Sequence, residues 1–435
     1  MRVAPFAVAA ALAINPGFLA PPAEAQESQI GPLRAAAAAA AAKAGGDPAA
    51  SVALGRALRR AGRWGEAQAE LRRGGALAAG RPDAQAQVEW EVARVYMDRH
   101  DFPQALAACR ALGRIRGAGA DGHACAADAH LVWQRATEAL TETAAALGAD
   151  AECYEARVAE GRAYDFALDE ARSEASFRAA IARRPEGAEA HLGLGRVLLK
   201  VGRRDEALRE LRRAVELDPD GPDVLFELAT ALGPGDESAA LLERATRERP
   251  SFSDAWIALG RQRLTGGRLA DAKKAAEAAA RTDAKDVAPH VLLGQVALAD
   301  GHPDDARKEG EAALRILANS AAAKLLVADA DAKQGDIDRA LEAYQAAWGL
   351  DHGDPTPLVH AAEACHAAGR DTSARAFALK TTQEFPRWGP GWAALGDALV
   401  GQGEKRAARD AYTSALTAEG PVDRDGVRRK LAALP

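Results

Sequence analysis

Two short stretches bring together residue types that bind transition metals. His123, Cys125, Asp128 and His130 stand within eight residues, and His360, Glu363, Cys365 and His366 within seven. A structural zinc site needs four such ligands in a tetrahedron. On a helix, however, His123 and His130 fall two turns apart, too far for joint ligation without a third element, and His360 with Glu363 offers only two ligands. Asp304-Asp305 is a carboxylate pair, but it stands at an expected helix start, where acids favour the positive end of the dipole. The sequence has no phosphate-binding glycine loop, serine elbow, His-Glu-x-x-His or paired zinc cysteines. No catalytic, cofactor or metal site is expected, and the chain is read as non-enzymatic.

The four cysteines, Cys109, Cys125, Cys153 and Cys365, are irregularly spaced and form no Cys-x-x-Cys pair. They are not a disulfide framework. One bridge among the first three is open in an oxidising compartment, and buried free thiols on helices are the favoured reading.

The elements that position these residues follow from composition. Aromatic residues make up 5% of the 435-residue chain, while alanine dominates a 48% hydrophobic content. Alanine, leucine, arginine and glutamate favour helix, and the β-branched and aromatic runs of strands are missing, so the expected class is all-α. A net charge of −6 offers no global field for nucleic acid or anionic lipid. The first residues combine Arg2, an apolar stretch, a break at Pro16-Gly17 and a small-x-small site, Ala23-Glu24-Ala25. That layout predicts a signal peptide over 1–25, cleavage before Gln26 and an exported, periplasmic protein. An uncleaved anchor is the alternative.

A period organises the rest. Small residues at Gly55, Ala93, Ala127, Gly161, Gly195, Ala229, Gly260, Gly294, Ala328, Ala362 and Gly396 are separated by 34 residues in eight of ten intervals, the others being 38 and 31. Twelve places on stands another small residue, such as Ala207 or Ala340, with Ser238 nine places on in the short unit at Ala229, and sixteen on often a large one, such as Phe177, Leu211, Tyr344 or Tyr412. Between them lie turns such as Val201–Ala207, where glycine and charged residues end one helix and start another. A fixed interval of this length marks a helical repeat.

His191–Pro219, with Leu194-Gly195, Ala207, Leu211, Ala214 and Pro219, resembles the tetratricopeptide repeat family. Trp256 ahead of Leu259-Gly260, and Trp392 ahead of Leu395-Gly396 with Tyr412 and Ala415, carry the same pattern. The match is strongest in those three units and weakest at Ala93, Ala127 and Ala229. The resemblance implies an α-solenoid, a right-handed superhelix of helix-turn-helix repeats. About eleven repeats occupy 48–420, after an Ala-rich tether or helix over 26–47 and before a capping helix over 421–435.

The resemblance also implies a concave groove lined by the first helices. Three places before each anchor every residue is apolar, from Val52 to Ala393. One place after it stand Arg56, Arg94, Arg162, Arg196 and Arg261, and later Asp329, Glu363 and Asp397. These eight are the expected partner-binding residues, arranged for a segment with its acidic part near the first units and its basic part near the last. Acids that begin the same helices, Asp121, Glu155, Glu189, Asp223 and Asp254, are available to neutralise the arginines. The expected function is a non-catalytic protein-binding scaffold of the bacterial envelope, in assembly or export machinery. An accessory subunit holding a polysaccharide in the groove is the alternative.

Overall fold

The computed structural model describes residues 23–42 and 47–434. The apolar segment of the expected export signal, residues 1–22, lies outside them. Helix α1 (Ala23–Ala42) is followed by paired helices: α2 (Pro48–Arg60) with α3 (Trp64–Leu77), α4 (Pro82–Asp98) with α5 (Phe102–Gly113), α6 (Gly119–Val132) with α7 (Ala136–Ala149), and α8 (Tyr154–Phe166) with α9 (Glu170–Arg183). Next come α10 (Ala188–Lys200) with α11 (Arg204–Leu217), α12 (Pro222–Leu232) with α13 (Asp236–Glu248), α14 (Ser253–Thr265) with α15 (Leu269–Thr282), and α16 (Val287–Ala299) with α17 (Pro303–Ile316). The last are α18 (Ala321–Gln334) with α19 (Ile337–Leu350), α20 (Thr356–Ala367) with α21 (Asp371–Glu384), α22 (Gly389–Gly401) with α23 (Lys405–Thr417), and α24 (Arg424–Ala432). Among the described residues there is no strand beyond one bridge between Trp388 and Glu419. The class is all-α, in eleven hairpins, the organisation of an α-solenoid. All eleven anchors fall on the first helix of a hairpin.

Small anchors do what their type requires. A Cβ on Gly195 would stand 2.6 Å from Leu211 Cγ, and one on Gly55 2.7 Å from Leu71 Cδ2. Gly161 meets Phe177 and Gly396 meets Tyr412 in the same way, so the large residue sixteen places on fills the space the glycine leaves. Each hairpin turns through a left-handed residue, usually a glycine such as Gly62, Gly202, Gly335 or Gly403, with φ between 72° and 85°. In the second, third and fourth hairpins that place is held by His100, Gln134 and Leu168, at φ 55° to 58°. A side chain there costs about 1–2 kcal/mol relative to right-handed backbone.

The chain divides into two compact units at Ala258/Leu259, inside α14. In the first, α1 packs on α2, burying Ile30 and Ala37 against Leu54, Leu58 and Leu71. Cys109 on α5 and Cys125 on α6 form a disulfide with Cα atoms 5.3 Å apart. This corrects the free-thiol reading for that pair; Cys153 and Cys365 are free and buried. The bridge forms because Gly113 and Gly122 let α5 and α6 approach until their backbones touch. Glu210, which its sequence places on the outer face of α11, is also engaged: its carboxylate lies 2.6 Å from His191 Nδ1. In the second unit Val427 is buried, and Leu431 and Leu434 pack with it on the cluster of Leu395, Leu399 and Tyr412.

Candidate partner-binding surface

The two series that flank the anchors separate cleanly. None of the residues three places before an anchor is exposed; Val52, Val158, Ile257, Val291 and Val359 are buried. They belong to the packing between helices. The residues one place after the anchor face solvent wholly or in part.

In the first unit the four arginines of that face are each held by a carboxylate. Arg56 Nε donates to Glu91 Oε1 at 2.9 Å, Arg162 to Asp128 at 2.7 Å and Arg196 Nε to Glu227 at 2.8 Å. Arg94 donates to Glu189 at 2.8 Å, across 95 positions of sequence. Glu91 is 2% exposed and also faces Arg59 at 3.5 Å and Arg94 at 3.7 Å. Burial pushes Asp128 above the ordinary carboxylate range, only partly offset by Arg162. Burial acts on Glu189 in the same sense, but Arg94 and Arg162 outweigh it and hold it low. Of the acids expected to neutralise the arginines, Glu189 does so; Glu155 pairs instead with Arg184 and Asp223 with Arg249. Glu91 and Glu227 escaped the sequence reading. Both stand two places before an anchor, within reach of the arginine of the preceding hairpin.

In the second unit Arg261 is exposed and has no ion pair among the described residues. Asp329 Oδ1 accepts from the Tyr344 hydroxyl at 2.7 Å and from His360 Nδ1 at 2.8 Å. Asp397 accepts from the Tyr412 hydroxyl at 2.7 Å and from Lys430 at 2.8 Å. Burial lowers the His360 imidazole, but the bond and charge of Asp329 prevail and raise it above its ordinary value. For Glu363, desolvation by the surrounding helices pushes the carboxyl up; His360 opposes this while Asp397 and Asp329 add to it.

The two metal-like stretches do not assemble. His123 pairs with Glu142, Cys125 is oxidised, Asp128 holds Arg162, and His130 stacks edge-on against Phe102. His360 and His366 turn to Asp329 and Asp371. Among the described residues, Asp121, Cys153 and Glu155 do converge within 4.8 Å. Glu155 is already paired with Arg184, and burial pushes the Cys153 thiol up to about 11, which keeps it protonated and a poor ligand. The seven tryptophans are all partly covered.

Family models described as tetratricopeptide repeat match residues 158–222, 194–233, 257–322, 291–355 and 331–399. Solved structures that resemble the chain include yeast Tom70, 14% identical over 89% of this chain and 95% of that one, with a TM-score of 0.48. A tetratricopeptide repeat protein from Parabacteroides merdae is 15% identical over 64% and 97%, at 0.42. PilW, a widely conserved type IV pilus biogenesis factor, is 19% identical over 47% and 96%, at 0.43. A search of curated proteins finds no match to the sequence.

Proposed function

Because the chain belongs to the tetratricopeptide repeat family, we propose that it is a non-catalytic scaffold that binds a partner protein along the charged face of its first helices. The observation that carries this is the split between the two series. The apolar residues are spent on packing, while Arg56, Arg94, Arg162, Arg196 and Arg261, and then Asp329, Glu363 and Asp397, are left on the surface. Because four of the arginines already hold carboxylates, an acidic segment binds there by exchange, replacing an internal partner with an external one. Such binding gains specificity more than raw affinity.

Export to an oxidising compartment belongs to the same proposal. It is supported by the N-terminal residue pattern and by the Cys109–Cys125 bridge, since disulfides persist outside the reducing cytosol. No described helix is long and apolar enough to cross a membrane. Intact mass of protein extracted from the envelope reads both points: a chain beginning at Gln26, with two thiols that react only after reduction, is expected. A chain that retains Met1 and four reactive thiols overturns export with cleavage.

Photo-crosslinkers placed one at a time at Arg162, Arg196 and Glu363 test the surface, with Glu342 on α19 as the outer control. The scaffold reading expects one partner band from the first three positions and none from the fourth. Equal crosslinking at Glu342 sinks the assignment of the face.

A further inference from the structure

The three acids on the exposed face of the last hairpins are not equivalent. Asp329 and Asp397 are each fixed by a tyrosine fifteen residues on, Tyr344 and Tyr412, and each has a cationic partner, His360 or Lys430. Glu363 lies between them on α20. The residue fifteen places after it is Ala378, and Glu363 has no hydrogen bond or ion pair among the described residues. The cations that act on it, His360 and Lys430, are already committed to its two neighbours.

Beside Glu363 opens a groove of roughly 500 Å3. Much of its lining is aliphatic: Leu298, Ile337, Ala364 and Ala368. Asp329 enters the same lining, and both of its hydrogen bonds use Oδ1, which leaves Oδ2 without a partner. The groove therefore joins an apolar channel to two carboxylates, Glu363, which has no protein partner among the described residues, and Asp329, whose Oδ2 is free of one, with His360 and Lys333 in the same lining. These acids do not converge closely enough to share a metal ion, as Asp121, Cys153 and Glu155 do. The cation that fits must be extended rather than a point.

We propose that this groove receives an arginine side chain from a segment of the partner protein. The stem lies along Leu298, Ile337 and Ala364, and the guanidinium reaches Glu363 with one edge and Asp329 Oδ2 with another. Arginine suits the place because its planar fork donates to two acceptors at once and its weakly hydrated head tolerates a partly desolvated site. Lysine has the stem but a single, strongly hydrated charge. Lys333 also lines the groove, so the segment that carries the arginine is not uniformly basic. The inference rests on the scaffold reading and gives it a chemical specificity at one position.

The test uses the full chain at low ionic strength and three fluorescein-labelled heptapeptides of alanine and glycine. Their central residue is arginine, lysine or citrulline, the last being the uncharged isostere of arginine. Fluorescence polarisation should show the arginine peptide binding about tenfold tighter than the citrulline peptide, the worth of one charge-assisted hydrogen bond. Glu363→Gln, a surface change, should cut that difference severalfold, leaving what Asp329 contributes, while Glu342→Gln should leave it intact. Equal binding of arginine and citrulline peptides to the parent overturns the proposal, as does a difference that Glu363→Gln leaves unchanged. Crosslinking at Arg162 and Arg196, which do not line this groove, reads the scaffold function separately. A partner captured there together with no arginine preference would sink the groove and leave the scaffold standing.

Discussion

Arg94 on α4 and Glu189 on α10 are 95 positions apart in sequence and 2.8 Å apart in space. A second pair of this kind, Arg60 with Asp218, spans 158 positions at 3.2 Å. In a repeat array each hairpin is expected to touch only its neighbours. Within the first unit these pairs join the second hairpin to the fifth, and the first to the end of the fifth.

Arg94→Glu places a carboxylate beside Glu91, Glu189 and Asp128. Because Glu189 is half exposed, the pair itself contributes no more than about 1 kcal/mol. Arg94→Glu should lower the stability of the first unit by more than that amount, because the new carboxylate also faces the buried Glu91. The double variant Arg94→Glu with Glu189→Arg should recover part of it, and rising salt should shrink the coupling, since exposed charges are screened over about 8–10 Å. Urea denaturation at two ionic strengths measures the cycle; a coupling of zero at low salt removes the pair as a tie.

Glu91 is a different case, because its carboxylate is buried among Arg56, Arg59 and Arg94. Removing Glu91 takes a charge-assisted acceptor from three arginines that are themselves partly exposed, and Glu91→Ala should cost roughly 1.5–3 kcal/mol. The same measurement on Glu342→Gln, exposed in mid-helix, should fall within about 0.5 kcal/mol of the parent. If Glu91→Ala is as mild as that control, the three arginines do not depend on it.

Gly195→Trp should overpack the contact between α10 and α11 and cost roughly 1–3 kcal/mol or more, since even a Cβ would press on Leu211. Glu210→Gln, which also alters a contact between α11 and α10, should be felt as well, by about 1 kcal/mol, through His191. Thermal unfolding of both against Glu342→Gln ranks the three; a silent Gly195→Trp would displace the anchor.

His360 and Glu363 both titrate above their ordinary values. A histidine so raised stabilises the fold fully below its unfolded value and loses that contribution as pH rises through the folded one. A raised carboxyl acts in the same direction. The second unit should therefore lose stability as pH rises above 4.5 through Glu363 and above 6.5 through His360. Binding of the arginine peptide should move the opposite way, because His360 becomes neutral and Glu363 charged beside Asp329, Asp397, Tyr344, Lys333 and Lys430. Polarisation titrations across that range decide it, and affinity that falls with pH would contradict the placement of the guanidinium.

The repeat was legible because packing imposes it. A glycine or alanine at the helix contact and a large residue sixteen places on are demanded by the same geometry, as Gly195 with Leu211 and Gly396 with Tyr412 demonstrate. The units at Ala93 and Ala127 make their left-handed turn with His100 and Gln134, but the unit at Gly161 does so with Leu168 and the weak unit at Ala229 keeps Gly233, so the turn residue does not account for the weaker pattern. The disulfide was not legible. Cys109 and Cys125 are sixteen positions apart, and that spacing says nothing about which faces of α5 and α6 meet; the Gly113 and Gly122 pair beside it was the available clue. Of the site, the residue types and their exposure followed from the register, whereas the partners of the arginines did not. Arg94 reaches Glu189 only because of how the hairpins between them curve, and no period encodes that.

The Cys109–Cys125 bridge gives the array an uneven response to force. A stack of hairpins pulled from its ends releases its helices one after another, and each freed residue adds about 3.3–3.6 Å of length. The fifteen residues between the two cysteines are closed by a covalent bond, so about 50 Å of chain stays short however hard the ends are drawn. Tension on this protein reaches a stop at the join between the second and third hairpins, and the helix faces on either side of it stay together after their neighbours have opened.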